Sequence, residues 1–407
     1  MPHGHRGGKP FRWACHLALA LLGLFCLSCG PLSSPVIYDP KPSVGRLRLE
    51  PSAIRTEADE LAEPLITSKE ATCVEIGVLL PDGSIQDYGY GRTRDKGRPQ
   101  VPDRNTLFQV GSISKLFTAS LLKLLVQAGE MNYSDTLREV LPPDMTLSQD
   151  AGRITLLELV THTSGLPREP VTLRQFLYLI DYEFTGHNLY GYMNKAWLRA
   201  YLKFYKAKPD PHPFVYSNLG YGLLAYLIEA KTEQPFQDLV TDNLFSPLHM
   251  TDTTFVLSKE QQGRLAAGHV GDQPYFMKRN TALAPWDMGE IMSPSGGAYS
   301  TASDLLLYAK HLLATEAPPL GSASAGTTEA SGYPPDLATS AAGWSVAEFR
   351  DDHTRILYKQ GMTAGYNAYI GINLSRGMAV VVLCNAFNWK DKIGHNLLLR
   401  LSGASAP

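Results

Sequence analysis

A hydroxyl and an amine occur three residues apart at the start of an apolar stretch of the chain. The stretch begins FQVGSISKLFTAS, and Ser112 and Lys115 are followed by mostly apolar residues as far as Val126. On a helix, positions i and i+3 lie on one face, so these side chains would meet in the first turn. Unpaired backbone N–H groups there favour negative charge. The spacing predicts a serine nucleophile that gives its proton to a lysine, or else an N-cap serine beside a solvated lysine.

A second candidate group opens another apolar helix, in the stretch PFVYSNLGYGLLAYLIE. Tyr216 and Asn218 stand two residues apart at its start. A phenol close to ammonium groups loses its proton more readily and can act as a general base. An asparagine amide can bind a substrate carbonyl or orient the lysine. The alternative is a packed tyrosine followed by a helix-capping asparagine.

A third candidate group lies on a predicted strand, in ILYKQGMTAGYNAYIGI. Lys359 could attract a carboxylate, and Gly361 would let a substrate backbone lie close to the strand. The N–H of Met362 could then join that of Ser112 in stabilising an oxyanion. A solvated strand lysine is the alternative. The three groups together, each on the kind of element that its chemistry requires, indicate a nucleophilic site.

The composition limits the function classes that remain. The chain has 407 residues, of which 44% are hydrophobic and 19% charged, enough for one large domain or two ordinary ones. A formal net charge of −2 gives no support for nucleic-acid binding. The 11 His and 5 Cys residues show no metal-ligand spacing.

The N-terminus has the pattern of an export signal. Residues 1–12 are basic and without acids, and an apolar run follows that is short for a spanning helix, which needs about 20 residues. The run ends in CLSC, which resembles a bacterial lipobox and predicts lipidation of Cys29. Ordinary signal cleavage and an uncleaved anchor are the alternatives, and all three export the protein. Residues 30–50 are rich in Pro, Ser and Gly and are predicted to be a flexible tether.

The remaining chain, residues 51–405, is predicted to form an α/β domain. A helix and two strands come first, a mainly helical region spans about 112–290, and strands and a closing helix follow. Strands at both ends of the domain predict one sheet assembled from the two ends, with the helical region inserted. Residues 293–301 are predicted to be a glycine-rich loop that ends at a cap, Ser303.

By these three motifs, the chain resembles the serine hydrolases of the class C β-lactamase and penicillin-binding-protein superfamily, which use an SxxK nucleophile. The likeness covers about residues 50–403 and includes VTHTSGLPREP, LFSPLHMTDTTF and GGAYSTASDLLLYAKHLL. HTSGLPRE followed by YSNL looks most like the periplasmic low-molecular-mass DD-carboxypeptidase/endopeptidases. The resemblance implies an antiparallel sheet flanked by helices beside an all-helical region. It implies no metal or organic cofactor.

The resemblance also implies roles for the candidate residues. Ser112 would be acylated, Lys115 would activate it, and Tyr216 would be the general base that later activates water. Substrate binding would fall to Asn218, Gly361 and Met362, with the N–H groups of Ser112 and Met362 as the oxyanion hole. Lys359 would attract the substrate carboxylate and lower the pKa of Tyr216.

The function implied is an exported, acyl-serine hydrolase that acts on peptidoglycan peptides, β-lactams or esters. We expect a monomer held at a membrane by an N-terminal lipid or anchor, with no nucleic-acid partner. A catalytically inactive cell-wall-binding lipoprotein is the rival from another class. Gln360 departs from the family, which commonly has Thr, Ser or Gly there, and this leaves ester substrates open.

Three further residue sets call for separate interpretations. His162 is read as structural, because Ser-Lys-Tyr chemistry needs no histidine. The aromatic stretch 170–212 would either cover the site or pack between helices. In the family's sheet the first strand lies antiparallel to the last, so Cys73 and Cys384 could form a disulfide, or they could remain two core thiols. The tyrosines of the aromatic stretch are Tyr190, Tyr192, Tyr201 and Tyr205.

Overall fold

The computed structural model describes seven stretches of the chain: residues 49–94, 100–170, 172–207, 212–316, 342–348, 355–388 and 392–402. All of them belong to one compact unit, Val36–Pro407. The predicted export segment with Cys29, and the tether apart from its last two residues, lie outside the described residues, so both stay predictions. Within the described stretches, no helix is both long and apolar enough to span a bilayer.

Both ends of the described chain contribute to one six-stranded antiparallel sheet. The strand order is β2-β1-β10-β9-β8-β7, so the first strand pairs directly with the last. Strands β9 and β10 are buried along their whole length and are rich in Val, Ile and Tyr, which suits a central position. The predicted sheet is therefore confirmed. Its strands are β1 Cys73–Leu79, β2 Ile85–Gly91, β7 Ser345–Glu348, β8 Arg355–Thr363, β9 Tyr366–Asn373 and β10 Met378–Cys384.

Helices form the middle of the described chain and also flank the sheet. Two helices, Ser114–Gln127 and Asn218–Thr232, are apolar on almost all sides and are correspondingly buried. The helices are α1 Pro51–Thr67, α2 Ser114–Gln127, α3 Leu137–Val140, α4 Gln149–Arg153, α5 Leu156–Val160, α6 Leu173–Thr185, α7 Lys195–Phe204, α8 Asn218–Thr232, α9 Phe236–Val240, α10 Lys259–Arg264, α11 Gly289–Gly296, α12 Ala302–Glu316 and α13 Ile393–Ser402. Short strand pairs join β3 Phe108–Gln109 to β6 Tyr299–Ser300 and β4 Gly268–His269 to β5 Ala282–Leu283.

The sheet separates two hydrophobic cores. One face packs on α1 and α13, where Ile54 and Leu397 meet Val380 of β10. The opposite face packs on α12 and the helical region, and Gly77 lets Leu306 approach β1 closely. The candidate nucleophile lies on this second side, at the start of α2.

One predicted loop is wrong. Residues 293–296, the first part of the expected glycine-rich loop, instead lie in the helix α11, Gly289–Gly296. A Cβ on Gly222 would lie 2.3 Å from the carbonyl oxygen of Ile291, so α8 and α11 pack in backbone contact, and this packing outweighs the weak helix propensity. The predicted cap is also wrong, because α12 begins at Ala302 and Thr301 Oγ1 accepts the N–H of Asp304 at 3.1 Å.

Of the two alternatives for Cys73 and Cys384, the structure has two separate core thiols and contradicts the disulfide. Both residues are buried free cysteines. Val74, not Cys73, is the register partner of Cys384. Successive side chains on a strand point to opposite faces, so the one-residue offset places the two thiols in different cores.

This register predicts two free thiols. In the chain from residue 31 onward, which contains only these two cysteines, we expect two thiols to react per molecule after denaturation without reductant. Both should react far more slowly in the native protein, since each cysteine is 0% exposed. A count of zero in the unreduced, denatured protein would contradict the register.

Candidate active site

The candidate nucleophile lies in a tight turn pressed against strand β8. Gly111–Ile113 form a 3-10 turn directly before α2. Ser112 therefore lies in this turn, and the α-helix itself begins at Ser114. A Cβ on Gly361 would lie 1.9 Å from the carbonyl oxygen of Val110 and 2.8 Å from the backbone N of Ser112. Glycine at this position is therefore what lets β8 touch the turn.

The same contact brings together the two predicted oxyanion donors. Gly111 has a left-handed φ of +52°, and a Cβ there would lie 2.6 Å from the backbone N of Met362. The N–H groups of Ser112 and Met362 thus belong to the two segments that meet at this point. Their meeting is consistent with the proposed hole, because two converging backbone donors can stabilise one oxyanion.

Lys115 is fully buried, and its amine meets three oxygen atoms. Its Nζ lies 2.6 Å from Asn218 Oδ1, 2.6 Å from the carbonyl oxygen of Ser295 and 3.1 Å from Ser112 Oγ. Burial, with the nearby cations Lys359 and Arg168, holds the pKa of Lys115 well below its ordinary value. A neutral amine can donate to the two carbonyl oxygens and turn its lone pair to the Ser112 hydroxyl.

Tyr216 meets the same hydroxyl. Its phenol oxygen lies 2.7 Å from Ser112 Oγ. Two cationic side chains and the Lys115 amine surround its ring: Lys359 Nζ and Arg168 Cζ each lie 5.1 Å from the centroid, and Lys115 Nζ lies 4.9 Å from it. Positive charge at these distances favours the phenolate, which is the form a general base requires.

His162 supports Tyr216 from behind. Its ring centroid lies 4.6 Å from that of Tyr216, and its Nδ1 accepts the backbone N–H of Ser217 at 3.0 Å. Burial and the nearby lysines hold the pKa of His162 well below its ordinary value, so the ring is neutral. The geometry agrees with the structural role predicted for this histidine.

Lys359 completes the cationic side of the site. It is 5% exposed and projects from β8 towards the Tyr216 ring. Burial and the Arg168 guanidinium lower its pKa from 10.5 to about 7. Its charge therefore changes within the physiological pH range.

Asn218 connects the site to an acid that the sequence analysis missed. Its Oδ1 faces Lys115, while its Nδ2 donates to Glu169 Oε1. The helix cap is Ser217, whose Oγ accepts the N–H of Gly220 at 2.9 Å, so Asn218 is left for the site. The other missed groups are Arg168 and the Ser295 carbonyl. Arg168 and Glu169 lie in the quoted HTSGLPRE stretch, whereas a backbone carbonyl has no sequence signal.

The aromatic stretch mainly packs between helices. Tyr192 donates to Gln175 at 2.6 Å, and Tyr201 stacks on Trp197. Tyr190 differs, because its hydroxyl donates to Glu169 Oε1 at 3.0 Å.

Gln360 occupies the position beside Lys359 on β8 and is half-buried. In the described part of the chain, no cluster of three or more His, Cys, Asp or Glu residues could hold a metal ion.

Comparison with known proteins agrees with this fold. The family model described as Beta-lactamase matches residues 58–404. The chain therefore belongs to the beta-lactamase family of serine hydrolases. A class C beta lactamase structure from Rhodobacter sphaeroides superimposes with a TM-score of 0.65 at 20% identity, covering 85% of this chain and 99% of that one. A Beta-Lactamase/D-Alanine Carboxypeptidase from Pseudomonas syringae gives 0.66 at 19% identity, covering 87% and 100%. These two likenesses show the fold.

Two curated relatives are more similar to this chain in sequence than these two structures are. The D-alanyl-D-alanine-carboxypeptidase/endopeptidase AmpH of Escherichia coli K12 is 29% identical over 271 residues, which are 66% of this chain and 64% of the relative. The match thus spans less than two thirds of AmpH. A Beta-lactamase of Lysobacter lactamgenus is 24% identical over 394 residues, covering 88% of this chain and 94% of the relative.

The glycine contact at β8 predicts the effect of a single methyl group. Gly361→Ala should push β8 away from the nucleophile turn and lower the free energy of unfolding by about 1–3 kcal/mol. Acylation of Ser112 should fall by roughly 100-fold, the typical loss when one oxyanion donor is removed. Denaturant unfolding and the rate of Ser112 labelling by a β-lactam measure the two effects.

Gly263→Ala is the matched control. This exposed glycine of α10 has nothing within 4 Å of the added Cβ, so neither quantity should fall. Equal behaviour of the two variants would contradict the close contact at Gly361.

Proposed function

We propose that this chain is an exported hydrolase that forms an acyl-serine at Ser112 and cleaves amide bonds of peptidoglycan peptides, as a DD-carboxypeptidase/endopeptidase or in a β-lactamase-like manner. One observation carries the proposal. The amine of Lys115 and the phenol of Tyr216 both lie within hydrogen-bond distance of Ser112 Oγ, at 3.1 Å and 2.7 Å. A serine with two proton acceptors at hand is activated as a nucleophile.

The proposed reaction has two halves. Ser112 Oγ attacks the substrate carbonyl carbon and its proton passes to Tyr216, directly or through Lys115, while the N–H groups of Ser112 and Met362 stabilise the oxyanion. The tetrahedral adduct then collapses, the C–N bond breaks, and the leaving amine takes a proton from Tyr216. Water, deprotonated by Tyr216, hydrolyses the acyl-serine and restores the hydroxyl.

The charge of the site supports an anionic substrate group. Lys359 Nζ and Arg168 Cζ both lie 5.1 Å from the centroid of the Tyr216 ring, and this positive charge would attract a carboxylate. The names of the AmpH and beta-lactamase relatives support the same choice, since D-alanyl peptides and β-lactams both carry a carboxylate. The half-buried Gln360 favours a second candidate, ester hydrolysis, because the small hydroxyl that often meets this carboxylate is absent.

The proposal includes export and anchoring. The basic and apolar N-terminal pattern supports passage across a membrane, and the CLSC sequence supports lipidation at Cys29. The names of the relatives support a location where cell-wall peptides are reached. We propose a monomeric enzyme held at a membrane by this lipid or by an uncleaved anchor.

The intact mass after incubation with a penicillin tests the proposed nucleophile. We expect the wild-type protein to gain the mass of one penicilloyl group and Ser112→Ala to gain none, because the acyl group is bonded to Ser112 Oγ. Ser114→Ala is the matched control: this buried neighbour donates to the Gly111 carbonyl, and its loss should leave the adduct in place.

The other outcomes discriminate the alternatives. Absence of an adduct together with Ser112-dependent hydrolysis of short acyl esters would favour the esterase. Absence of both would favour the inactive, cell-wall-binding lipoprotein and contradict the proposal.

The lowered pKa of Lys359 predicts a pH dependence of substrate choice. Its pKa of about 7 means that the charge is present below this pH and is lost above it. Preference for a carboxylate-bearing substrate over a matched neutral one should therefore fall about tenfold between pH 6 and pH 8. Both substrates are attacked by the same nucleophile, so the effect of its titration cancels in the ratio of the two kcat/KM values. Lys359→Gln should show a low ratio that does not vary with pH, and an unchanged ratio in the wild type would contradict the assignment.

A further inference from the structure

Glu169 lies at the inner end of a hydrogen-bond chain that starts at the nucleophile. The chain runs from Ser112 Oγ to Lys115 Nζ, then to Asn218 Oδ1, and from Asn218 Nδ2 to Glu169 Oε1. Tyr190 donates to the same carboxylate oxygen from the other side at 3.0 Å. Glu169 touches none of the reacting groups, yet it is two side chains away from the atom that is acylated.

We infer that Glu169 is a positioning residue for the proposed reaction: it fixes which end of the Asn218 amide faces Lys115 and supplies the negative charge that acts on the buried amine. This inference rests on the proposed function of Ser112 and Lys115. It concerns a residue that acts through Asn218, not one that contacts substrate.

The first part follows from the asymmetry of the amide. A side-chain amide has an acceptor oxygen at one end and a donor nitrogen at the other. Glu169, when ionised, can only accept, so it binds Nδ2 and leaves Oδ1 for Lys115. A reversed amide would put donor against amine and acceptor against carboxylate, so that Lys115 and Glu169 would each lose one hydrogen bond and both ends of the buried amide would lose their partners. The carboxylate therefore selects the orientation of Asn218.

The second part follows from the charges around Lys115. Lys359 and Arg168 oppose the protonated amine, whereas Glu169 favours it. Glu169 Oε1 accepts two hydrogen bonds, but Oε2 is buried with no hydrogen-bond partner among the described residues, so its charge is not dispersed further. The groups that face Lys115 or Glu169 from all neighbouring segments are His162, Arg168, Tyr190, Tyr216, Tyr221 and Lys359.

The balance of these charges determines when Lys115 can accept a proton. Burial raises the pKa of Glu169, while Asn218, Arg168, Tyr190 and Lys115 lower it. Removing the negative charge should lower the pKa of Lys115 further, since an opposite charge nearby stabilises the ammonium form. The neutral amine would then persist to lower pH, and the acid limb of the rate profile would move in the same direction.

The test is the pH profile of kcat/KM in full-length protein. Glu169→Gln keeps an acceptor for Asn218 but removes the charge, and its acid limb should move to lower pH by about one unit. Tyr190→Phe removes one stabilising donor and should move it less, in the same direction. Glu169→Ala removes the acceptor too, and should in addition lower kcat about tenfold with little change in KM. Glu130→Gln, at an exposed position after α2, is the charge control and should leave the profile unchanged.

The expected pattern would be overturned by a Glu169→Gln profile that coincides with that of the wild type. If Glu169→Ala fails to fold, the Gln variant still decides the matter. Failure of the proposed function gives a different result, namely no Ser112-dependent turnover in the wild type. In that case NMR titration of the Lys115 side chain tests the inference without turnover, and an equal Lys115 pKa in wild type and Glu169→Gln would contradict it.

Discussion

The burial of the Lys115 amine is the constraint on which the site depends. An amine removed from water must find polar partners, because an unsatisfied buried polar group costs several kcal/mol. Here the partners come from three separate segments: Asn218 at the start of α8, the Ser295 carbonyl in α11 and Ser112 in its own turn. The packing of α2, α8 and α11 is thereby tied to the position of one nitrogen atom.

The same burial links stability to chemistry. In water a lysine amine is protonated at neutral pH and cannot take a proton from serine. Desolvation and the neighbouring cations favour the neutral form, in which the lone pair of Lys115 is available to Ser112. The glycine contact between β8 and the nucleophile turn brings the Met362 backbone close to that of Ser112, where the proposed reaction requires the oxyanion donors. In the proposal, the proton acceptors and the second oxyanion donor thus come from different segments of the chain.

The sequence predicted the parts of the site that local patterns encode. Ser112 and Lys115 share a helix face because of their i, i+3 spacing, and Tyr216 with Asn218 stands at a helix start that the apolar pattern reveals. The strand with Lys359 was equally clear, because β-branched and aromatic residues surround it. The sheet could be assigned from strands at both ends of the domain. These features depend on periodicity within one element.

The features that the sequence did not reveal depend on contacts between distant elements. The Ser295 carbonyl is a backbone atom, and only the packing of α11 against α2 and α8 gives it a role. Glu169 lies in a loop between Pro167 and Pro170, where no periodicity indicates which way a side chain points. The sequence left open whether Cys73 and Cys384 form a disulfide, because the answer depends on strand register: an offset of one residue points the two side chains to opposite faces of the sheet. Thr301, and not Ser303, caps α12. A distant contact holds the start of this helix in place, because the Ser303 N–H donates to the Arg104 carbonyl.

The most direct test of this account is a crystal structure of the protein with a peptide-like boronic acid, which mimics the tetrahedral adduct of an acyl-serine. The account predicts boron bonded to Ser112 Oγ, with one boronate oxygen within hydrogen-bond distance of both the Ser112 and Met362 N–H groups. Lys115 Nζ should keep its contacts to Asn218 and Ser295 in that complex. A boronate bound elsewhere, or one whose oxygens turn away from both N–H groups, would contradict the proposed site.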